Sequence, residues 1–477
     1  MKQRLFNLGS LNLYVNPFLQ NNGQLLRAVN VDTTPYGALT KRKGYEAYLG
    51  TATGGTVQQL FSVDLTDNNS APYLYRYSNN VLFFKDLTGT ADWTACNNGT
   101  FSGNNIGYTV LENTMIVGDG VGSTRHTTNG TSFTNTTGAP IARYFEQFQQ
   151  RVFAGGTANT LFFSTTGTAS DWSGVSPSDS SSFQIPGEGQ IVGLRKVNDT
   201  LKIFKKGGNM FTFDGDYLVD EATKSGLNYS NSLANIEDYH MWINDDGMYG
   251  SGGGRPELLS NPIEPFFREA NGFNTDAPAG AHRFDFYFSP LETITEDILD
   301  TSIEKPVIKY NIQKNQFLTW KMNALASPGI TAFASYKDAT TNPYNAFIFG
   351  DSAGQVYKFF KDSSNNDIYD DNGAPIESIV EMLIHLDAPE DAKQWYELTL
   401  FFNPGSTAKV QIGTTNVFNR NNLRLTDLGD TSEGFIHYRF PQKTQSNLLF
   451  LRIYENSTNP SWTWYGGVVD ADIVERR

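Results

Sequence analysis

Residues 191–205 read IVGLRKVNDTLKIFK, two apolar segments joined by a short polar hinge. The apolar segments, residues 191–194 and 201–204, have the composition of β-strands, and most residues of the hinge tolerate turn geometry. Residues 73–84 and 107–118 have the same layout. Helical periodicity is nearly absent, because short apolar segments are interrupted by Gly, Asn, Asp or Thr every 8 to 12 residues or so. The sequence therefore predicts an all-β fold.

These hairpins recur along the chain. The hairpins form repeating units, and these begin near Val57, Gly107, Ile141, Ile191, Ile236, His282 and Thr331. Successive openings are about 50, 34, 50, 45, 46 and 49 residues apart, mostly close to the repeat of a four-stranded propeller blade. Two units share a tail, since a Phe-Phe pair precedes residues 89–93 and residues 167–172, and both tails end in Trp. Accidental spacing in a turn-rich chain is the alternative.

The length of the chain favours a closed arrangement of these units. A ring of blades leaves only short sheet edges, whereas one open layer would expose long unpaired edges. We therefore predict a β-propeller of six to seven blades over residues 51–372, with residues 1–50 contributing to the propeller and to contacts with neighbours. Longer alternating segments, such as residues 395–402 and 448–454, are spaced like those of a sandwich. Residues 373–477 are predicted to form a C-terminal antiparallel β-sandwich-like domain.

Composition limits the classes of function. The 477 residues include 36 basic and 50 acidic side chains, a net charge of −14, which disfavours a protein that wraps DNA tightly. The single cysteine, Cys96, cannot form an intrachain disulfide, so packing must stabilise the fold. No apolar run approaches the roughly 18 residues of a membrane span. We expect a soluble protein without a targeting segment or membrane span, made in a reducing compartment.

The residues that usually carry catalysis are scattered. The five histidines show neither the spacing of a helical zinc pair nor proximity to the cysteine. The sequence also lacks G-x-S-x-G, a P-loop and a Cys-His arrangement. We therefore predict no enzyme and no catalytic, cofactor-binding or metal-ligating residue. The histidines are His126, His240, His282, His385 and His437.

Four loop-like segments have alternative interpretations. Residues 367–373 are acidic and predict a turn with solvated carboxylates, or an irregular calcium site, because an EF-hand template fails at Ile368 and Ile379. Residues 245–247 predict a hairpin turn, and residues 251–254 a glycine-rich loop rather than a phosphate site. Residues 126–133 faintly resemble the aspartate box of sialidases, but only Gly130 is kept. A hydrolase with paired carboxylates over a propeller channel remains the competing function.

Basic and aromatic clusters have ordinary interpretations. The triplet at residues 41–43 and the pair at residues 205–206 are short and isolated, so we expect solvated strand ends rather than phosphate sites. The prominent aromatic residues of the C-terminal region are expected in the core, with stacking on sugars as the alternative. They are Trp395, Tyr396, Trp462, Trp464 and Tyr465.

A series of motifs, taken in their order along the chain, resembles the motifs of one family. Near the start, Asn16-Pro17, residues 26–30 and residues 37–44 are similar to its Asn-Pro start, its A-x-N strand and its G-x-L-x-x-R-x-G ending. Residues 151–172 resemble a strand followed by N-x-[VL]-x-x-S and Trp. The remaining motifs are D-x-L-x-[IV]-F-K at residues 199–205, x-x-D-G-[VIM]-Y at 244–249, L-S-x-x-I-x-x-x-F at 259–267, G-D-x-x-G-x-[VI]-Y at 350–357 and D-x-G-x-P-I at 371–376.

This family comprises the β-propeller tail proteins of bacteriophages, called tail nozzle, tail hub or tail tubular protein B, and the related DNA-stabilisation proteins. The resemblance covers roughly residues 10 to 376. It implies a structural virion protein of the tail, assembled in the host bacterial cytoplasm, with no catalytic residues to carry over.

The resemblance also implies partners. It implies a homo-oligomeric ring, six copies in number, below the portal or head-to-tail adaptor proteins and associated with tail fibre or needle proteins. The ring would retain the genome and conduct duplex DNA through its lumen, without specific binding, during ejection. Acidic charge is compatible with DNA that slides. The alternative is a propeller that binds or hydrolyses host surface polysaccharide, and a receptor-contact role for residues 377–477 stays open.

Overall fold

The fold is almost entirely β-sheet. The computed structural model describes residues 2–5, 9–14, 20, 23–48, 55–65, 73–87, 92–103, 105–156, 158–174, 179–221, 224–268, 273–296, 301–337, 345–362, 364–385, 391–416, 423–459 and 462–474. Helical structure in these ranges is confined to the α-helix Glu264–Arg268 and the 3-10 turns Ser230–Ser232 and Asn261–Ile263. None of these helices has the length and hydropathy needed to cross a membrane.

Five consecutive antiparallel sheets, each of four strands in chain order, form blades 1 to 5. Their strands are Val57–Val63, Tyr73–Ser78, Val81–Asp86 and Thr94–Thr100 in blade 1; Gly107–Leu111, Thr114–Gly118, Arg125–Thr127 and Thr134–Asn135 in blade 2; Ala142–Phe148, Arg151–Gly156, Thr160–Phe163 and Ser181–Gln184 in blade 3; Ile191–Val197, Thr200–Lys205, Met210–Phe213 and Leu218–Asp220 in blade 4; and Ala234–Ile236, Tyr239–Asn244, Gly247–Ser251 and Glu257–Leu258 in blade 5.

Blades 6 and 7 complete the wheel in different ways. Blade 6 consists of Ala279–His282, Asp285–Phe288, Pro306–Asn311 and Gln316–Lys321, with the hairpin Ile294–Glu296 and Thr301–Ile303 inserted between its second and third strands. Blade 7 consists of Ile330–Lys337, Asn345–Asp351 and Val356–Phe359, and its outermost strand is Tyr45–Ala47, which precedes blade 1 in the chain. The last blade thus contains strands from both ends of the propeller, an arrangement that fastens the ring.

Apolar side chains fill the space between neighbouring blades. Phe61 and Tyr75 of blade 1 share a buried cluster with Met115 and Val117 of blade 2, and similar clusters join each later pair. Blade 7 packs on blade 1 through a cluster that includes Val57. Neighbouring blades therefore pack on one another all round the ring.

The shared tails of blades 1 and 3 have equivalent positions. Trp93 is buried in the cluster between blade 1 and blade 7, and Trp172 in the cluster between blade 3 and blade 2. Each tryptophan therefore follows the third strand of its blade and packs back on the preceding blade. Residues 88–91, which include the start of the first tail, lie outside the described residues.

A sandwich of two sheets adjoins the propeller. One sheet has seven strands: Val31–Thr33, Leu39–Lys41, Thr463–Ile473, Lys393–Phe402 and Phe435–Arg439, with Lys2–Leu5 and Gln445–Ser446 at its sides. The other comprises Arg27–Val29, Ile376–Ile384, Leu448–Ser457, Lys409–Thr415 and Thr426–Asp430. A large buried cluster lies between them.

Blade 6 and the sandwich share one continuous sheet. Arg27–Val29 pairs in parallel with the outermost strand of blade 6, through Val29 and Thr319, and antiparallel with Ile376–Ile384. The result is a nine-stranded sheet that runs from the propeller into the sandwich. The predicted all-β class, propeller and C-terminal sandwich-like domain are confirmed: six blades are separate four-stranded sheets, and a seventh belongs to the nine-stranded sheet.

Candidate functional site

A cavity of about 360 Å³, here called the central cavity, lies at the hub of the wheel. It is lined by residues in, or next to, the innermost strands of all seven blades. An innermost strand pairs on one side only, so its second edge faces the axis with unpaired backbone groups. The hub is therefore a polar site built jointly by segments far apart in the sequence.

Four innermost strands carry an irregularity at the same place. In blades 1, 3, 4 and 7 the register shifts at the second residue, which is Gln58, Arg143, Val192 or Thr331 respectively. A bulge bends the strand and redirects the extra side chain. Arg143 lines the central cavity, and Gln58 lines both that cavity and a second one of about 350 Å³, here called the mouth cavity.

Side chains from blade 3 and from the segments before three other blades form a hydrogen-bonded chain that joins the linings of the two cavities. Arg143 Nη2 donates to Asn231 Oδ1 at 3.1 Å, Asn231 Nδ2 to Asn105 Oδ1 at 3.5 Å, and Asn105 Nδ2 to Asp276 Oδ1 at 2.8 Å. Arg143 belongs to blade 3, and the other three residues immediately precede blades 5, 2 and 6. This hydrogen-bonded chain, here called the axial plug, therefore crosses the hub.

An ion pair lies deeper in the central cavity. Arg195 Nη1 is 3.6 Å from Glu146 Oε2, and both occupy the fifth position of neighbouring innermost strands. Burial raises the pKa of the Glu146 carboxyl, and Arg195 opposes that effect. Tyr108 stacks on Phe61 with ring centroids 4.0 Å apart, and burial raises the pKa of Tyr108 to about 12. The cavity thus combines charged groups with aromatic walls.

A second polar cluster, here called the buried junction, lies where the sandwich meets the propeller. Arg42 donates to both carboxylate oxygens of Asp371, at 2.8 and 2.6 Å, and neither side chain is exposed to solvent. Its Nε donates to Asn30 Oδ1 at 2.8 Å, and its guanidinium lies 5.5 Å from the ring centroid of Trp320. Burial raises the pKa of Asp371, and Arg42 opposes this.

Two other buried cations belong to this junction. Lys41 Nζ is 3.1 Å from Glu455 Oε2; burial lowers the pKa of Lys41, and Glu455 opposes that effect. Lys309 Nζ lies 2.6 Å from Asp32 Oδ1 and 3.0 Å from Asp285 Oδ2, in blade 6. These pairs connect the sandwich strands at residues 31–41 with the later parts of the chain.

The expectation of solvated strand ends at residues 41–43 was wrong for two of the three residues. Lys41 is buried against Glu455 of the sandwich, and Arg42, just beyond the strand, is buried against Asp371 and Trp320. Only Lys43 remains partly exposed, paired with Asp367 at 2.7 Å. Asp371 likewise departs from the predicted turn of solvated carboxylates, since the Arg42 pair encloses it.

The expectation of a solvated strand end is also wrong for Lys205 in the pair at residues 205–206. Lys205 is buried and donates to the carbonyl oxygens of Pro186 and Gly187 at 2.6 and 2.5 Å, whereas Lys206 is exposed. The long apolar stem of lysine packs inside blade 4 while the backbone carbonyls satisfy its ammonium group.

The aromatic residues singled out in the C-terminal region divide between the core and the surface. Trp395, Trp462 and Trp464 are buried in the sandwich core, as expected, whereas Tyr396 and Tyr465 are exposed. In the described ranges no group of three or more His, Cys, Asp or Glu side chains is placed to hold a metal ion. Asn16-Pro17 of the first family motif lies outside the described residues.

Sequence reasoning missed the axial plug and the Arg42–Asp371 pair. Asn105 and Asp276 lie in loops and Asn231 in the 3-10 turn Ser230–Ser232, where no periodic pattern marks them. Arg42 belongs to the G-x-L-x-x-R-x-G motif and Asp371 to the D-x-G-x-P-I motif, and their opposite charges were a usable signal.

In comparisons with known proteins, no family model matches this chain and no curated protein matches it. Among solved structures, the chain is similar to the WD40 β-propeller domain of Doa1, with 11% identity and a TM-score of 0.41, over 68% of this chain and 99% of that chain. It is also similar to the computationally designed Ika8 protein, with 12% identity and a TM-score of 0.39, over 66% of this chain and 99% of that one. These likenesses concern the fold alone.

Proposed function

We propose that this chain is a structural subunit of a bacteriophage tail, a nozzle or hub protein that forms a ring with copies of itself. Six copies would surround the passage for DNA below a portal or adaptor. The ring would retain the genome and conduct it during ejection, in contact with tail fibre or needle proteins.

The observation that carries the proposal is the contact between Arg42 and Asp371. Arg42 is the arginine of the G-x-L-x-x-R-x-G motif and Asp371 the aspartate of the D-x-G-x-P-I motif in the resemblance to phage tail proteins, and they pair through two hydrogen bonds. Gly44, which ends the first motif, has no room for a side chain, because a Cβ would lie 1.7 Å from the carbonyl oxygen of Asp370. Both motifs of this chain thus contribute residues to the packing of the buried junction.

The size of the hub determines where DNA would pass. The major groove of B-DNA alone is about 12 Å wide, so a duplex does not fit a cavity of about 360 Å³ that is crossed by the axial plug. In a ring, the lumen would therefore lie between copies, with each propeller as part of its wall. A net charge of −14 per chain would offer DNA few cationic contacts.

The competing hydrolase lacks its usual pair of carboxylates in the central cavity. A glycosidase needs an acid and a second carboxylate flanking the scissile bond. Among the described residues that line this cavity, Glu146 is the only carboxylate, and it faces Arg195.

Glycan binding without hydrolysis is a second candidate, favoured by one surface. Phe401 and Phe435 are cross-strand neighbours on the seven-stranded sheet, Tyr465 lies beside them, and all three are exposed. Exposed rings on a flat sheet can stack on sugars. Loss of binding to host polysaccharide in Tyr465→Ala would support this candidate.

Native mass measurement of the purified full chain, alone and mixed with the portal and adaptor proteins of the same phage, tests the main proposal. We expect a closed oligomer, alone or recruited by those partners, and no turnover of glycans. A chain that stays monomeric and binds neither protein would contradict the tail-ring proposal, as would glycosidase activity.

A further inference from the structure

The central cavity contains two guanidinium groups whose donors are largely unused. An arginine has five N–H donors. Arg143 donates through Nη2 to Ser230 Oγ at 3.3 Å and to Asn231 Oδ1 at 3.1 Å. Arg195 has its 3.6 Å contact with Glu146, and its buried Nε has no hydrogen-bond partner among the described residues.

The charge of the cavity is opposite to that of the whole chain. Arg143 and Arg195 outnumber the single carboxylate, Glu146, among the described lining residues, whereas the chain carries −14. Phe61 and Tyr108 contribute aromatic, low-dielectric surface to the lining, and electrostatic attraction is stronger beside such surface than in water. A volume of about 360 Å³ is within the range of small-molecule sites, about 300 to 1,000 Å³.

We infer that the central cavity binds a small ligand that carries a carboxylate or phosphate group, with Arg195 as its main partner and Arg143 as a second cation. Planar guanidinium groups suit such oxyanions because they can donate two parallel hydrogen bonds. The axial plug joins the lining of this site to that of the mouth cavity through Arg143 and Asn105. This inference is independent of the proposed tail function.

Glu146 would compete with the ligand for Arg195. Its carboxylate is the partner of Arg195, at a distance too long for a strong hydrogen bond. An incoming oxyanion would compete with Glu146 and be repelled by it. Removing the negative charge of Glu146 should therefore strengthen anion binding, whereas removing the positive charge of Arg195 should weaken it.

Isothermal titration of the full chain with pyrophosphate and with citrate tests the inference and distinguishes the two oxyanion classes. We expect one saturable site per chain for at least one probe. Arg195→Gln should weaken binding more than tenfold, in line with loss of a charge-assisted hydrogen bond, Arg143→Gln should weaken it less, and Glu146→Gln should strengthen it severalfold. The matched control is Arg439→Gln, an exposed arginine paired with Glu397 at 3.0 Å, which should change nothing.

Three results would overturn the inference. The first is that neither the wild-type chain nor Glu146→Gln binds either probe. The second is that Arg439→Gln weakens binding as much as Arg195→Gln, which would indicate attraction to the surface. The third is weaker binding by Glu146→Gln, and because this change keeps the shape of the side chain, it remains informative if Arg195→Gln fails to fold.

Discussion

The buried junction and the central cavity each place an arginine against a carboxylate, but the two pairs differ in geometry and in exposure. Arg42 and Asp371 share two hydrogen bonds of 2.6 and 2.8 Å, and neither side chain is exposed. Arg195 and Glu146 are 3.6 Å apart, with 31% and 17% of their side chains exposed.

This difference separates residues that stabilise the fold from residues that can bind a ligand. At the junction, the carboxylate, an amide oxygen, backbone carbonyls and an aromatic face occupy the Arg42 guanidinium. In the cavity, most donors of Arg195 stay open. The same residue types therefore join the sandwich to the propeller in one region and leave guanidinium donors available at the hub in the other.

The largest expected effect is at the junction. Arg42→Ala would leave the buried Asp371 carboxylate without its counter-ion, so the free energy of unfolding should fall by about 3 to 5 kcal/mol. Urea unfolding followed by tryptophan fluorescence measures this. Arg439→Ala, which removes an exposed arginine from a pair with Glu397, should cost about 1 kcal/mol or less. Equal losses in the two variants would remove the contrast between buried and exposed pairs.

Near the junction, an unpaired charge should be poorly tolerated. His282 stacks on Phe347, close to Arg283 and Lys309, and burial lowers the pKa of His282 to about 4. The unfolded chain takes up this proton near pH 6.5, so the contribution of His282 to stability is present above that pH and is lost as the pH falls towards 4.

Replacing the imidazole of His282 tests the direction of this pH dependence of stability. His282→Phe should reduce the loss of stability between pH 6.5 and 4 by on the order of 3 kcal/mol. Because His282 Nδ1 has no hydrogen-bond partner among the described residues, the change should cost little at pH 7.5. Unfolding measured at both pH values checks this. The same acid sensitivity in both proteins would contradict it.

The contact that closes the ring should show an intermediate effect. A Cβ at Gly350 of blade 7 would lie 2.4 Å from the Cβ of Val57 in blade 1. Gly350→Ala should therefore destabilise the fold by about 1 to 3 kcal/mol through overpacking. Gly254→Ala is the control, since a Cβ there meets nothing within 4 Å. Equal melting temperatures for the two variants would argue against close packing between blades 7 and 1.

The smallest effect should come from the neighbour of Arg42 in the sequence. Lys43 is partly exposed, and its partner Asp367 also receives Lys361 at 2.6 Å. Lys43→Ala should therefore lower the free energy of unfolding by less than about 1 kcal/mol. A loss as large as that of Arg42→Ala would mean that the whole triplet, rather than its buried members, holds the junction.

Local sequence patterns predicted the blades because blades 1 to 5 are each built from strands that are consecutive in the chain. The innermost strands begin at Val57, Gly107 and Ile191, as the apolar periodicity indicated. The opening predicted at His282 lies at the end of its strand, because Ala279 and Gly280 supply too little apolar signal. Core positions for Trp395, Trp462 and Trp464 followed from their strand context.

Partners that are distant in the chain could not be predicted in this way. Arg42 and Asp371 are 329 positions apart, so no local window contains both. Charged residues in a short strand are usually exposed to solvent. This general tendency led to the wrong prediction for Lys41 and Arg42. The axial plug depends on loops that only ring closure brings together, which explains why sequence analysis found no site at the hub.

Electron microscopy of the purified full chain, assembled alone or on its portal or adaptor, tests the central claim most directly. The account predicts rings in which every propeller hub is closed and a lumen wide enough for a duplex lies between copies. Solitary chains that never assemble, or particles in which DNA passes through the hub of a single propeller, would contradict it.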